Sequence, residues 1–383
     1  MKTSIKRLFH ELKDDMVIVV NATATRSSGG LSILKQFVDN IPIETNDTYY
    51  IFVDPEIEIP KTEYIIPVYI NTKKWSKRIY WDSFGLKKWI KKNNINPNFI
   101  ISLQNTGVNY NREIPQLIYY HQLLPLSKHR WNILKKEELI LFIYKYFYSF
   151  FVSLYVHNKT FFVVQIPSTK KKFIEKFKIK EDNVFVIPPK IPLIDNEDIS
   201  KFSFKDNKKH FIYPATLFVY KNHLILLKAL CILKKKDKEC FNNIKIHFTF
   251  TEKEAGNIKE LIHKYDIKNT IVFEGTIPYK QLFSYYKSMN ALLFPSYIES
   301  FGLPLLEAAG CGIPIIASNL PYAHDVIGLY EGVTFLDYNN AEDWANAIIE
   351  KYYKKEKFEP FTYPSNKKNW TTFFNLIEQL KQK

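Results

Sequence analysis

The sequence predicts an α/β protein of two domains, each built around a parallel sheet. Short, continuous apolar runs recur along the chain, and segments with helical periodicity separate them. Such runs are typical of strands covered on both faces, and their alternation with helices favours parallel sheets. The length of 383 residues suits two domains of ordinary size. The pattern is interrupted at Pro188–Ser203, where proline and acidic residues predict a linker.

Composition narrows the class of protein further. Hydrophobic residues make up 46% of the chain, enough for sizeable cores. Cys231, Cys240 and Cys311 show neither metal-binding spacing nor a paired framework, which favours a reducing cytoplasm. The net charge of +15 favours an anionic partner such as a nucleotide, an anionic membrane surface or a nucleic acid. Because lysine is abundant throughout, the charge is equally explained by overall composition.

The first half contains a strand followed by a glycine pair. Asp15–Asn21 is predicted as the first strand, and Gly29 and Gly30 precede a predicted helix at Leu31–Phe37. A glycine pair between strand and helix suits a phosphate-binding loop, but a flexible turn explains it as well. The further strands predicted in this half are Tyr49–Val53, Tyr64–Ile70, Phe99–Leu103, Leu117–His121 and Phe161–Gln165.

His121 stands at the end of the fifth strand. The carboxyl ends of parallel strands line the ligand crevice in open α/β sheets, so contact with a ligand is one interpretation. A structural histidine is the other.

A long aromatic and aliphatic run at Leu139–Val156 approaches the length of a transmembrane helix. Lys145 lies near its middle, and tyrosines interrupt it. The run therefore predicts a buried helix of the first domain rather than a membrane span. Partial membrane contact through its aromatic face is the alternative.

The second half centres on Phe294–Asp325. A strand at Ala291–Phe294 leads through a turn into a helix at Leu303–Ala309. The free N–H groups at such a helix start bind phosphate or sugar oxygens. Glu299 precedes the turn and Glu307 lies in the helix, and a carboxylate can accept hydrogen bonds from a vicinal diol. By spacing alone, two solvated surface glutamates explain the pair equally well.

The stretch E-S-F-G-L-P-L-L-E resembles the E-x7-E signature of the retaining glycosyltransferases of family four. FPS before it and A-x-x-C-G-x-P-I-I-A-S after it are also similar to that family. The resemblance implies the GT-B fold, in which two Rossmann-like domains face a central cleft and a C-terminal helix crosses back to the first domain. It implies domains at 1–190 and 204–365, with the crossing helix within 366–383.

The resemblance also assigns roles by matching position. Glu299 would contact the donor sugar and Glu307 the nucleotide ribose. The remaining positions implied at the donor or acceptor are the backbone of Phe301, Gly302 and Leu303, the diphosphate-binding Lys221, the loop at Ile277, the glycines Gly29 and Gly30, and His121. Thr216 stands where the family usually has an arginine, so one charge of the expected diphosphate clamp is missing.

The implied activity is transfer of a sugar, with retention of configuration, from a UDP- or GDP-linked donor to a saccharide or polyprenyl-linked saccharide. We expect no essential metal or other cofactor and no nucleic-acid partner. Surface polysaccharide synthesis in the cytoplasm, at the inner face of an anionic membrane, fits these expectations. The alternatives are a nucleotide-sugar epimerase of the same fold and a basic nucleic-acid-binding protein.

Overall fold

The computed structural model describes residues 15–26, 28–43, 45–191, 200–364 and 369–381. The chain divides into two compact units. Unit 1 comprises the described parts of Met1–Leu126, Ile143–Lys190 and Lys368–Lys383, and unit 2 those of Ser127–Phe142 and Ile191–Lys367. Residues 192–199 of the predicted linker and the predicted boundary at 365/366 lie outside the described residues.

Unit 1 contains a seven-stranded parallel sheet, as predicted. Its strands are β1 (Val17–Asn21), β2 (Thr48–Val53), β3 (Ile65–Tyr69), β4 (Phe99–Ser102), β5 (Gln116–Tyr119), β6 (Thr160–Val164) and β7 (Val184–Val186). The order is β3-β2-β1-β4-β5-β6-β7. Because the order reverses at β1, the loops after β1 and β4 border the crevice where ligands bind in such sheets.

The helices of this half differ from the predicted ones at two places. They are α1 (Ser28–Asp39), α2 (Trp75–Tyr80), a π-helix (Trp81–Gly85), α3 (Leu86–Lys92), α4 (Lys136–Ser153) and α5 (Pro167–Phe177). Gly29 and Gly30 lie in the first turn of α1, not in a loop before it. Trp81–Gly85 also forms an unpredicted π-helix, in which the backbone bonds skip one more residue than in an α-helix.

The C-terminal helix belongs to unit 1, as predicted. Helix α13 (Asn369–Lys381) buries Trp370, Phe373 and Phe374 in the core of this unit. All three rings contact Phe37 of α1, with centroids 5.5–6.1 Å apart. The chain therefore returns to the first unit after completing the second.

Unit 2 contains a six-stranded parallel sheet. Its strands are β8 (Lys209–Tyr213), β9 (Ile244–Phe248), β10 (Ile271–Phe273), β11 (Ala291–Phe294), β12 (Ile315–Ser318) and β13 (Val333–Leu336), in the order β10-β9-β8-β11-β12-β13. Its helices are α6 (His223–Lys236), α7 (Lys238–Asn242), α8 (Asn257–Lys264), α9 (Tyr279–Tyr286), α10 (Leu303–Gly310), α11 (Pro321–Ile327) and α12 (Ala341–Tyr353). The order reverses between β8 and β11, which brings the loops after these two strands together.

One segment of the first half groups with unit 2. Residues 127–142 fall within the predicted first domain, yet His129 and Trp131 pack on Tyr297, with ring centroids 5.1 and 6.3 Å away. Asn257 also donates to the Glu137 carboxylate at 3.2 Å. Strand and helix periodicity carry no signal for such aromatic contacts between distant segments.

The prediction that Leu139–Val156 forms a buried helix is wrong for one face of α4, which is exposed. Its inner face packs Tyr144, Tyr148 and Phe151 around Trp75 of α2. Its outer face exposes large apolar side chains, including Phe147 and Phe150, each 61% exposed. One face of the 18-residue helix packs on residues of β5 and β6, so the other faces water despite its composition. Within the described part of the chain, no helix combines the length and apolar character that crossing a bilayer requires.

Candidate functional site

In unit 2, the candidate site is built on the loop between β11 and α10. Gly302 immediately precedes α10 with φ +88°, a left-handed conformation that favours glycine. Tyr322 donates to the backbone oxygen of Ser296 at 2.7 Å and fixes the start of the loop. The loop thus presents the free N–H groups and the positive dipole end of α10.

Lys221 and Glu299 form an ion pair beside this loop. Lys221 Nζ lies 2.5 Å from Glu299 Oε1, and only 16% and 11% of the two side chains are exposed. Lys221 ends a 3₁₀ turn after β8, and the next residue, Asn222, donates to the backbone oxygens of Pro295 and Tyr338 at 3.3 and 2.8 Å. The fold therefore brings together two predicted site residues that are 78 positions apart.

Glu307 lies on α10, and tyrosines hold its carboxyl group. Glu307 is only 3% exposed, and the Tyr286 hydroxyl donates to its Oε2 at 2.9 Å. Tyr279 makes a second side-chain hydrogen bond. Burial raises the pKa of Glu307 to about 7. The carboxyl group therefore changes protonation near neutral pH, and Glu299 and Glu307 have separate partners.

The remaining predicted positions in unit 2 surround the same edge of the sheet. Thr216 is exposed in the loop after β8, and Ile277 is half-buried in the loop between β10 and α9. Leu303 is half-buried at the start of α10. The Phe301 ring is buried against Tyr363, with centroids 5.7 Å apart, so only its backbone remains for a ligand.

In unit 1, Gly30 lies beside His121, two residues beyond the end of β5. A Cβ added at Gly30 would stand 3.7 Å from His121 Nε2, whereas one at Gly29 would meet open space. Asn105 Oδ1 accepts from the His121 backbone N–H at 2.6 Å. His121 Nδ1 is buried, and no described group bonds it. Burial, reinforced by Arg78, lowers the pKa of His121 to about 4. The imidazole is therefore neutral at physiological pH.

Sequence reasoning missed a buried polar network under the loops after β1 and β4. Asp82 accepts from Asn21 at 2.9 Å and from Gln104 at 3.0 Å. Arg78 donates to the Gln104 backbone oxygen at 2.9 Å and pairs with Asp82 at 3.8 Å. The signal was present in Asn21 and Gln104, which are polar residues at strand ends. Asp82 and Arg78 lie in helical segments, where the sequence pattern alone does not distinguish buried charged residues from exposed ones.

Among the residues whose positions the structure gives, no three His, Cys, Asp or Glu side chains are grouped to hold a metal ion. The positive groups of the unit 2 site are Lys221 and the N-terminus of α10.

The second half of the chain is similar to a known protein family. Residues 195–363 match the family model described as "Glycosyl transferases group 1". The predicted family resemblance is therefore confirmed, although the match itself says nothing of individual site residues.

Two curated relatives illustrate the sequence similarity. A D-inositol 3-phosphate glycosyltransferase of Paenarthrobacter aurescens is 22% identical over 196 residues, which are 50% of this chain and 48% of that protein. The O-antigen chain mannosyltransferase RfbU of Salmonella typhimurium is 21% identical over 210 residues, 54% of this chain and 55% of that protein. The matches thus span about half the length of these relatives.

Solved structures confirm the fold over nearly the whole chain. A glycosyltransferase from Rickettsia africae ESF-5 has a TM-score of 0.59 and 17% identity, covering 97% of this chain and 99% of that one. Anabaena Alr3699/HepE in complex with UDP and glucose has a TM-score of 0.57 and 13% identity, covering 96% and 97%. The predicted GT-B class, with two Rossmann-like units, is confirmed.

Proposed function

Because residues 195–363 carry a Glycosyl transferases group 1 domain on a GT-B fold, we propose that this protein is a retaining glycosyltransferase acting on a nucleotide sugar. The acceptor is a hydroxyl of a saccharide or of a lipid-linked saccharide. The relatives described above are glycosyltransferases by name, which favours sugar transfer over the epimerase and nucleic-acid-binding alternatives.

The observation that carries this proposal is the Lys221–Glu299 pair at the start of α10. A half-buried ammonium beside free helix N–H groups suits a diphosphate. A bound diphosphate would take Lys221 as its partner and release Glu299 to accept hydrogen bonds from sugar hydroxyls. Ion pairing in the free protein keeps both side chains in place until the donor binds.

Glu307 supports the nucleotide end of the donor. A ribose diol donating to its carboxylate would replace the hydrogen bond from Tyr279, whose residue is exposed, while the buried Tyr286 keeps its own. The base would lie near the loop at Ile277. Both UDP and GDP suit these contacts. The Anabaena structure contains UDP and glucose, and the Salmonella relative is named a mannosyltransferase.

The reaction breaks the bond between the anomeric carbon and the diphosphate oxygen and forms a bond from that carbon to the acceptor oxygen. The acceptor proton passes to the departing diphosphate, and attack on the same face retains configuration. Lys221 and the N–H groups at Phe301, Gly302 and Leu303 stabilise the leaving diphosphate without an essential metal. The neutral His121 imidazole offers a hydrogen bond to a sugar hydroxyl, with Gly29 and Gly30 leaving room beside it.

The acceptor side is proposed to work at the inner face of an anionic membrane, in surface polysaccharide synthesis. Unit 1 exposes an apolar face, defined by large side chains on α2, the π-helix, α4 and the turn after α4. Its members are Trp75, Ile79, Tyr80, Phe84, Ile143, Tyr146, Phe147, Phe150 and Leu154. Exposed lysines of the same unit flank it, including Lys74, Lys77, Lys87 and Lys88. Apolar insertion and attraction of lysines to anionic lipid would act together.

Donor binding is the direct test. Thermal stabilisation of the full chain is measured with UDP, GDP, UDP-glucose, GDP-mannose and uridine, since a ligand that binds only the folded state raises its stability. We expect one nucleotide series to stabilise the protein and Glu307→Gln to weaken that effect. Failure of every nucleotide to bind would contradict the proposal. Turnover that persists in EDTA would support metal-independent transfer, and its loss would refute that part.

A further inference from the structure

Four aromatic side chains of unit 2 pack together beside the candidate donor site. Tyr297 lies in the loop between β11 and α10, Tyr338 follows β13, and His129 and Trp131 belong to the segment of the first half that groups with this unit. The centroid of the Tyr297 ring lies 5.1 Å from His129, 6.3 Å from Trp131 and 5.4 Å from Tyr338. This aromatic cluster therefore joins three segments that are distant along the chain.

Trp131 is the buried member of a turn whose neighbouring residues are exposed. It is 6% exposed, whereas Arg130 and Ile133 are exposed to solvent. The rings of His129 and Tyr297 lie 4.4 and 6.3 Å from the Trp131 ring. Tryptophan offers a large, rigid contact area at a low cost in side-chain entropy. Trp131 therefore anchors the turn to the loop that contains Tyr297.

The turn that carries Trp131 is itself fixed. The Asn132 backbone N–H donates to Glu138 Oε2 at 2.6 Å, and Lys135 Nζ lies 3.3 Å from Glu138 Oε1. Asn257 of α8 donates to the adjacent carboxylate of Glu137 at 3.2 Å. Trp131 thus packs on Tyr297 from a support that is bonded to unit 2 at a second place.

Tyr297 connects the aromatic cluster to the ion pair of the donor site. Tyr297 lies two residues before Glu299, and its backbone N–H donates to the Tyr220 backbone oxygen at 2.9 Å. Tyr220 directly precedes Lys221. This hydrogen bond therefore joins the loop that carries Glu299 to the loop that carries Lys221.

Tyr338 ties the cluster to the same ion pair by another route. The Asn222 side chain, which follows Lys221, donates to the Tyr338 backbone oxygen at 2.8 Å. The Tyr338 ring in turn contacts the Tyr297 ring. The aromatic cluster is thus bonded to both loops of the Lys221–Glu299 pair, whose atoms lie 2.5 Å apart.

We infer that Trp131 is a positioning residue for the donor site and acts through Tyr297, which it holds in place two residues before Glu299. This inference rests on the proposed function, because it gives Trp131 a part in binding the nucleotide-sugar donor. Misplacing a binding group by about 1 Å can cost about a hundredfold in rate. Trp131 also lies outside residues 195–363, the range that matches the family model. That range by itself therefore lacks one support of its own donor site.

Hydrogen exchange of the full chain, measured without nucleotide, tests the mechanical part. Trp131→Ala should accelerate exchange in peptides covering residues 295–299 by about tenfold or more, because the bond from Tyr297 to Tyr220 opens more often. Trp131→Phe keeps an aromatic ring and should retain slow exchange. Ile133→Ala is the matched control, because Ile133 is exposed in the same turn. Unchanged exchange in Trp131→Ala would overturn the inference.

Calorimetry with UDP, GDP, uridine and guanosine tests the effect on binding. Trp131→Ala should weaken binding of the diphosphate that binds wild type by about tenfold and leave the nucleoside nearly unchanged, whereas Trp131→Phe should restore the affinity. Tyr297→Leu should have the same selective effect. Because both changes remove one contact, the double variant should bind no more weakly than Tyr297→Leu alone.

The outcomes separate this inference from the proposed function. Wild-type protein that binds neither UDP nor GDP would overturn the proposed function, and this inference with it. A diphosphate that binds wild type and Trp131→Ala equally well would overturn the inference alone. Equal weakening of nucleoside and diphosphate, or additive losses in the double variant, would show that Trp131 only stabilises the fold.

Discussion

At the scale of single residues, the candidate donor site depends on how each charge is compensated. Lys221 and Glu299 neutralise each other at 2.5 Å. The Glu307 carboxyl group, in contrast, is held by the hydroxyl groups of Tyr286 and Tyr279. Burial of the Glu307 carboxyl raises its pKa to about 7. The two glutamates of the motif therefore respond differently to mutation.

Replacing Lys221 with methionine should impair diphosphate binding selectively. The methionine keeps the stem but removes the charge, so affinity for UDP or GDP should fall by about 1.5–3 kcal/mol and affinity for the nucleoside should change little. Calorimetry with both ligands measures the difference. Lys259→Met is the matched control, because Lys259 forms an exposed ion pair with Glu252 at 3.2 Å. Equal losses for nucleoside and diphosphate would refute the role of Lys221.

Replacing Glu307 with glutamine should alter both nucleotide binding and the pH dependence of stability. Burial raises the pKa of Glu307 from 4.5 to about 7, so the folded state loses stability as pH rises through this window. Glutamine carries no charge, so the free energy of unfolding of the variant, relative to wild type, should rise by up to about 3 kcal/mol between pH 4.5 and pH 8. Nucleotide affinity should fall by about 1–3 kcal/mol. Parallel pH profiles for the two proteins would contradict this account.

At the scale of elements, a chain of hydrogen bonds ties β8, β9 and the end of β10 together. Asp206 bonds His210 at 2.8 Å, His210 bonds His247 at 2.8 Å, and His247 bonds Glu274 at 2.6 Å. Tyr285 donates to the same Glu274 at 3.2 Å. The two imidazoles therefore lie in one hydrogen-bonded chain between two carboxylates.

Acidification should destabilise unit 2 through this chain. Burial lowers the pKa of His210, and His247 adds to the effect, so the unfolded state binds protons first as pH falls below about 6.5. The hydrogen bond from His247 lowers the pKa of Glu274, so its contribution is lost below 4.5. His210→Gln should flatten the fall in unfolding free energy between pH 7 and pH 5.5, while the exposed control His263→Gln should not. Denaturant titrations at a series of pH values measure this, and an unchanged slope in His210→Gln would refute it.

The outer face of α4 should govern attachment to anionic lipid. Phe147→Ser and Phe150→Ser remove apolar area at the exposed face, so each should reduce flotation with anionic liposomes, and wild-type binding should weaken at high salt because lysines contribute. Leu329→Ser is the control, since Leu329 is exposed on unit 2. Wild-type protein that stays unbound at low salt would refute membrane attachment, and the donor site would be unaffected.

At the scale of the whole molecule, unit 1 is completed by the last helix of the chain. Phe373 is fully buried, and its ring lies 6.1 Å from that of Phe37. Asn369 donates to the Pro189 backbone oxygen at 2.7 Å, and Trp370 to Gln36 Oε1 at 3.1 Å. The core of the first unit therefore depends on residues made last.

Removing the Phe373 ring should open unit 1 before unit 2. Phe373→Ala should lower the unfolding free energy of unit 1 by about 3–5 kcal/mol, because a large cavity remains. Hydrogen exchange should then accelerate in β1, β2 and α1, and less in β8 and β9. Thr372→Ala, at an exposed neighbouring position, is the control. Equal acceleration in both sheets would show that the two units unfold as one.

The alternation of strands and helices, the GT-B class and the similarity of residues 195–363 to glycosyltransferases could be predicted from the amino-acid sequence. The spacing of Glu299 and Glu307 is likewise visible there. These features are local, because apolar runs, turn glycines and motif spacing involve residues that are close together in the sequence. Tertiary structure alone decided the partners: Lys221 for Glu299, Tyr286 for Glu307, Asn105 for His121 and Arg78 for Asp82. It also decided that α4 exposes Phe147 and Phe150. Burial, ion pairing and pKa depend on atoms distant along the chain, and periodicity does not encode which distant atoms meet.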